Sequence, residues 1–82
     1  MEFSDTIKDM LSDDYKARFM AEYNQLTVRI TKLSKMLDKY ENKQLEYELK
    51  SPVVFYYQQL SHMIAYQQAL RNRALVEFHE VL

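Results

Sequence analysis

Arg29, Lys32, Lys35, Lys39 and Lys43 follow one another at steps of three or four, the spacing that lines one side of a helix with cations. A solvated face is the plain outcome for such residues. Here, however, Asp38 is the one acid nearby, where a glutamate at i±4 would be the usual companion. Tyrosines are also unusually abundant in the chain: Tyr15, Tyr23, Tyr40, Tyr47, Tyr56, Tyr57 and Tyr66. A tyrosine ring over a base, with Arg or Lys on a phosphate, is the minimum chemistry for holding a small nucleotide. Farther along, Arg18 and Glu22 come opposite Arg71 and Arg73 once the chain doubles back. Glu22 can pair with Arg71 or Arg18 there, which leaves surplus positive charge for water or an anion.

Catalytic chemistry has far less to work with. His62 and His79 are too distant on one helix to share a metal, and neither has a partner at i+4. Ser61 adjoins His62, but neighbours at i,i+1 diverge on a helix, so they make no nucleophile–base pair. The chain has no Cys and no Gly, which excludes thiol chemistry, cysteine zinc sites, the P-loop and the dinucleotide fingerprint. We expect no catalytic residue, no metal ligand, no cofactor and no enzymatic activity.

The elements that must position these groups are helices. Eighty-two residues make one domain, and 48% hydrophobic with 28% charged residues suits a folded chain. With no Gly and only Pro52, tight hairpin turns are hard to build, so the fold class is all-α. Phe3, Ile7, Met10 and Leu11 predict a short N-terminal helix over 3–11, capped by Ser4 or Asp5. Ser12-Asp13-Asp14 opens a long helix over 13–41. Its seam, Phe19, Tyr23, Leu26, Ile30, Leu33, Leu37 and Tyr40, alternates steps of four and three. Asn42 is the expected left-handed cap.

Leu45, Tyr47 and Leu49 alternate with polar residues in a connector over 42–50. Ser51-Pro52 starts a second long helix over 52–80, with Ser51 as N-cap and Pro52 in the first turn. Val53, Tyr56, Leu60, Met63, Leu70, Ala74 and Phe78 form its seam, interrupted by the polar Gln67, and Val54, Tyr57, Ile64 and Leu75 make a second apolar edge. Two equal helices with a short link make an antiparallel hairpin in which facing positions sum to about 93. That register sets Arg29 and Lys32 against Tyr57, His62 and Tyr66. A hairpin alone leaves apolar surface uncovered, so we expect a homo-oligomeric bundle or ring. A net charge of −1 argues against a general DNA or RNA binder. No run of eighteen apolar residues is present and the N-terminal residues lack a basic and apolar leader pattern, so no membrane association is expected and the expected location is the host cytoplasm.

The run from Arg18 to Leu37, with Phe19, Glu22, Tyr23, Leu26, Arg29, Lys32, Leu33 and Met36, resembles the first helix of a family of small crAss-phage-related proteins. Leu45, Tyr47, Leu49 and Ser51-Pro52, then Gln59, Leu60, Met63, Tyr66, Leu70 and Arg73, are similar to its connector and second helix. That family often has Cys where this chain has Ser51. The resemblance implies a phage origin and a helical hairpin. The architecture is also similar to phage anti-CBASS sponges, oligomeric proteins that sequester cyclic-nucleotide immune signals. In those a tyrosine stacks on a base and a lysine of the first long helix meets phosphate, roles for which Tyr15 and Lys32 are the nearest counterparts here.

Taken together, the expected function is sequestration of a small nucleotide immune signal. Tyr15, Tyr23 and Tyr66 would supply stacking or hydroxyl contacts, and Arg18, Arg29, Lys32 and Arg73 the phosphate partners. The alternative is a helical-hairpin module that inhibits or scaffolds a host or phage protein, its tyrosines and arginines serving as interface anchors.

Overall fold

The computed structural model describes residues 13–82. These form two α-helices and no strand: α1, Asp13–Glu41, and α2, Val53–Phe78. The short helix expected over 3–11 lies outside the described residues. The two helices pack antiparallel, as the pairings of Tyr15 with Glu77, Tyr23 with Arg71 and Thr27 with Gln67 require. Each of these pairs falls close to the expected register.

The core follows the heptad seam but is concentrated toward the open end. Phe19, Tyr23 and Leu26 of α1 are buried against Leu70 and Ala74 of α2, and Met20, Ile30, Met63, Phe78 and Leu82 close around them. Leu70 and Ala74 have no exposed surface at all. The Phe19 ring meets Phe78 edge-on at 5.2 Å between centroids, a favoured arrangement for two aromatic quadrupoles. Toward the connector Leu37 is buried, but Leu33 and Leu60 are only half covered and Tyr40 is exposed. The second apolar edge of α2 stays in solvent, with Val54, Tyr57, Ile64 and Leu75 all exposed.

The helix ends differ from expectation in instructive ways. Asn42 is not the left-handed residue that ends α1. Its N–H still bonds Asp38 O at 3.0 Å, and the turn to positive φ falls on Lys43 (φ 57°). Gln44 N–H then reaches back to Lys39 O at 2.8 Å, satisfying a terminal carbonyl. At the start of α2, Pro52 occupies the cap position rather than the first helical one, and no side-chain bond caps the helix. The first backbone bond there runs from Phe55 N–H to Pro52 O, 3.0 Å. The far end stops at Phe78 because His79 turns left-handed (φ 56°) and Glu80 N–H bonds Ala74 O at 3.2 Å, short of the expected residue 80. The connector turns loosely rather than running straight. Bends at Glu46 and Tyr47 leave Leu45 and Leu49 half-buried and swing Tyr47 outward.

Candidate functional site: a cationic groove beside the connector

Helical periodicity carries Arg29, Lys32 and Met36 up the same side of α1, where they meet Gln59 and Met63 of α2 and Tyr47 of the connector. Together with Leu33 these residues line a groove of about 490 Å³. An adjoining recess of about 220 Å³ is lined by Lys32, Lys35, Met36, Lys39, Leu45 and Tyr47. Lys32, Met36 and Tyr47 are therefore the wall common to both. No carboxylate lines either one. Arg29, Lys32, Lys35 and Lys39 are exposed and make no ion pair among the described residues. Four cations without a counter-charge on an apolar floor raise the local anion concentration.

The larger recess, about 700 Å³, sits under the connector between Tyr40 and Val53. It has Glu41 and Glu48 in its lining with Lys43 as its cation. Its volume makes it conspicuous, but its charge does not suit an anion as the smaller pair does.

The other expected site residues are engaged in holding the helices together. Tyr15 donates to Glu77 and accepts from Arg73 Nη2 at 2.8 Å, while Arg73 Nε donates to Glu77 at 2.8 Å. Arg73 also lies over the Phe19 ring, 5.1 Å from its centroid. The bond to Glu77 raises the affinity of both the Arg73 guanidinium and the Tyr15 hydroxyl for their protons. The Arg73 and Tyr15 bonds in turn hold the Glu77 carboxyl below its ordinary value. Tyr66 donates to Glu22, which raises its own proton affinity and takes the carboxylate that was expected to meet Arg71 or Arg18. Arg71 instead donates to the Tyr23 hydroxyl at 3.0 Å. Arg18 is exposed and has no partner among the described residues.

Of the seven expected residues, then, Arg29 and Lys32 converge on the groove, and Tyr15, Tyr66 and Arg73 form two acid-bridged clasps nearer the open end. Tyr23 joins Arg71 in a separate contact. The groove and the Arg73 clasp are well apart: Arg73 stands over Phe19, and a rise of 1.5 Å per residue separates Phe19 from Lys32 by roughly 20 Å. One small ligand cannot span both. Arg29 and Lys32 also do not face Tyr57 and Tyr66 as expected. Tyr57 donates to Glu41 at 2.6 Å and Tyr66 to Glu22, each drawn to a carboxylate across the interface.

Sequence reasoning missed Tyr47, Gln59 and Met63 as groove residues. The alternation around Tyr47 was the available signal, but it placed Tyr47 with Leu45 and Leu49 rather than out at the groove. Among the described residues no group of three or more His, Cys, Asp or Glu side chains could hold a metal ion, and no helix is long and apolar enough to cross a membrane.

Fold and groove together define a small helical-hairpin protein with a cationic, tyrosine-walled groove at its closed end. The chain belongs to the Sequestin family, whose model matches residues 13–75 and so takes in α1, the connector and most of α2. No curated protein and no solved structure matches it.

Proposed function

We propose that this chain is a phage-encoded anti-defence protein that binds a cyclic or related nucleotide immune signal and holds it without degrading it. The observation that carries this reading is the groove: Arg29, Lys32, Lys35 and Lys39 gather around Tyr47 with no carboxylate in the lining. The family's name, Sequestin, is in keeping with sequestration. Holding a signal needs affinity without turnover, and the groove offers cations and a ring but no paired acid and base. In this reading the protein is not an enzyme, derives from a crAss-like phage, acts in the host cytoplasm and assembles as a homo-oligomer through the exposed edge of α2.

The test is thermal melting of the purified protein against cyclic di- and trinucleotides and ADP-ribose-type signals. A ligand at about 100 times its dissociation constant adds about 2.7 kcal/mol, a shift of several degrees for so small a domain. Recovery of the bound compound unchanged after heat denaturation separates sequestration from catalysis. A panel without any shift overturns the reading.

A second reading has its own support. Val54, Ile64 and Leu75 are exposed along α2, and an uncovered apolar helix edge is what a protein-interaction module presents. A stable host partner in a pull-down, with no nucleotide shift, decides for that alternative.

A further inference from the structure

We propose that Tyr47 is the stacking wall of the groove and Lys32 its phosphate anchor, so that the site takes one compact phosphate ester bearing a heteroaromatic ring. This rests on the nucleotide-binding reading above and assigns the site within it.

Three observations carry the assignment. Tyr15, Tyr23, Tyr57 and Tyr66 each spend the hydroxyl on a charged partner across the hairpin. Tyr47 makes no such bond among the described residues and is 60% exposed, so it contributes little to holding the hairpin. It nevertheless lines both cationic recesses together with Lys32 and Met36, and its other side borders the recess under the connector that holds Glu41 and Glu48. A ring laid on Tyr47 shares its recess with the polarizable Met36 thioether, and base–tyrosine stacking tolerates any base. A phosphate at Lys32 has Arg29 on one side and Lys35 and Lys39 on the other. Gln59 adds both a donor and an acceptor for a sugar hydroxyl or ring edge.

The charge pattern also limits ligand size. From Arg29 to Lys39 the cations cover roughly 15 Å of helix at 1.5 Å per residue. Glu41 and Glu48 line the next recess beyond them, and Glu22 stands on the other side in its clasp with Tyr66. A long polynucleotide tracking the groove would run its phosphates onto carboxylates, whereas a mononucleotide-sized ligand fits between them.

The experiment titrates isotopically labelled protein with AMP, adenosine and inorganic phosphate at millimolar concentrations, followed by NMR. AMP is expected to move the Tyr47 ring signals together with the Lys32 and Gln59 amides. Adenosine should move the Tyr47 ring, and phosphate the Lys32 amide alone. Tyr47→Phe should bind AMP like the parent, and Tyr47→Ala should bind on the order of tenfold more weakly, with both variants melting like the parent when unliganded. The assignment is overturned if AMP moves nothing at these positions, if it acts instead at the Tyr15–Arg73 clasp, or if Tyr47→Ala binds AMP like the parent. Failure here is separable from failure of the broader reading. A tight signal that survives Tyr47→Ala overturns this site but leaves sequestration intact. AMP binding at Tyr47 with no tight signal in the melting panel does the opposite.

Discussion

Gln67 Nε2 of α2 donates to Thr27 Oγ1 of α1 at 3.0 Å, in the middle of an otherwise apolar seam. Thr27 passes its own proton to Tyr23 O at 2.9 Å, so the chain of donors is complete. Gln67 is 9% exposed, one residue type away from a continuous apolar stripe, and it lies between Met63 and Leu70. A heptad seam by itself tolerates slippage by a heptad. A single buried polar pair does not, since any other register strands the amide without a partner.

Thr27→Val removes the acceptor and leaves the Gln67 amide in the seam. We expect a loss of about 1–2 kcal/mol in chemical denaturation. Adding Gln67→Leu should restore most of it, because removing both polar partners costs far less than orphaning one. Additive losses in the double variant would show that the pair is not coupled.

Lys43→Gly should stabilise the fold by about 1 kcal/mol. Lys43 holds φ at 57°, a region that costs an L-residue with a Cβ and costs glycine nothing. Asn42→Gly should destabilise instead, since Asn42 N–H still makes a helical bond to Asp38 O. Melting temperatures of the two variants, moving in opposite directions, check the displaced cap.

Leu70→Ala opens a cavity at a position with no exposure and should cost about 2–5 kcal/mol. Leu75→Ala, five residues on and on the outer edge at 53% exposed, should leave the hairpin's own stability within about 0.5 kcal/mol. If α2 associates through its outer edge, Leu75→Glu should lower the mass seen by analytical ultracentrifugation, and an unchanged mass would remove that edge from the assembly.

Lys32→Ala and Arg73→Ala should separate binding from folding. Lys32 has no partner in the hairpin, so its loss should abolish a ligand-induced melting shift and leave the unliganded protein unchanged. Arg73 bonds Glu77 and Tyr15 and covers Phe19. Its removal should cost about 0.5–1 kcal/mol of stability, discounted for its exposure, and leave ligand binding in place.

Stability should fall at both extremes of pH, by different groups. Glu77 is held below its ordinary 4.5 by Arg73 and Tyr15. Its contribution is present above that value and is lost as pH drops through the lower folded-state value. Tyr15, Tyr57 and Tyr66 are each raised above 10.0 by their bonds to Glu77, Glu41 and Glu22. Their contribution is complete below 10.0 and disappears as pH rises through the raised values, when the hydroxyl loses the proton it donates. Glu77→Gln should flatten the acid limb, and Tyr66→Phe should reduce the alkaline one.

Hairpin and register were legible in the residues. The seam from Phe19 to Leu37 and its counterpart from Val53 to Phe78 have helical spacing, and equal lengths with a short link allow one simple packing. The cations were legible as well, because Arg29, Lys32, Lys35 and Lys39 share a side of α1 at any register. Tertiary structure decided which aromatic joins them. Periodicity tells which way a side chain leaves its own helix, but not which carboxylate across the interface will take its hydroxyl. Glu41, Glu22 and Glu77 claimed Tyr57, Tyr66 and Tyr15, since a half-covered phenol is stabilised most by an ionised acceptor. Tyr47 came to the groove through two bends in a connector that has no period to read. Local spacing therefore determined the helices and their charged side. The folded pairing with acids took Tyr15, Tyr57 and Tyr66. The path of the connector decided that Tyr47 lines the cationic recesses, rather than Tyr40 or Tyr56, which likewise form no hydroxyl bond among the described residues.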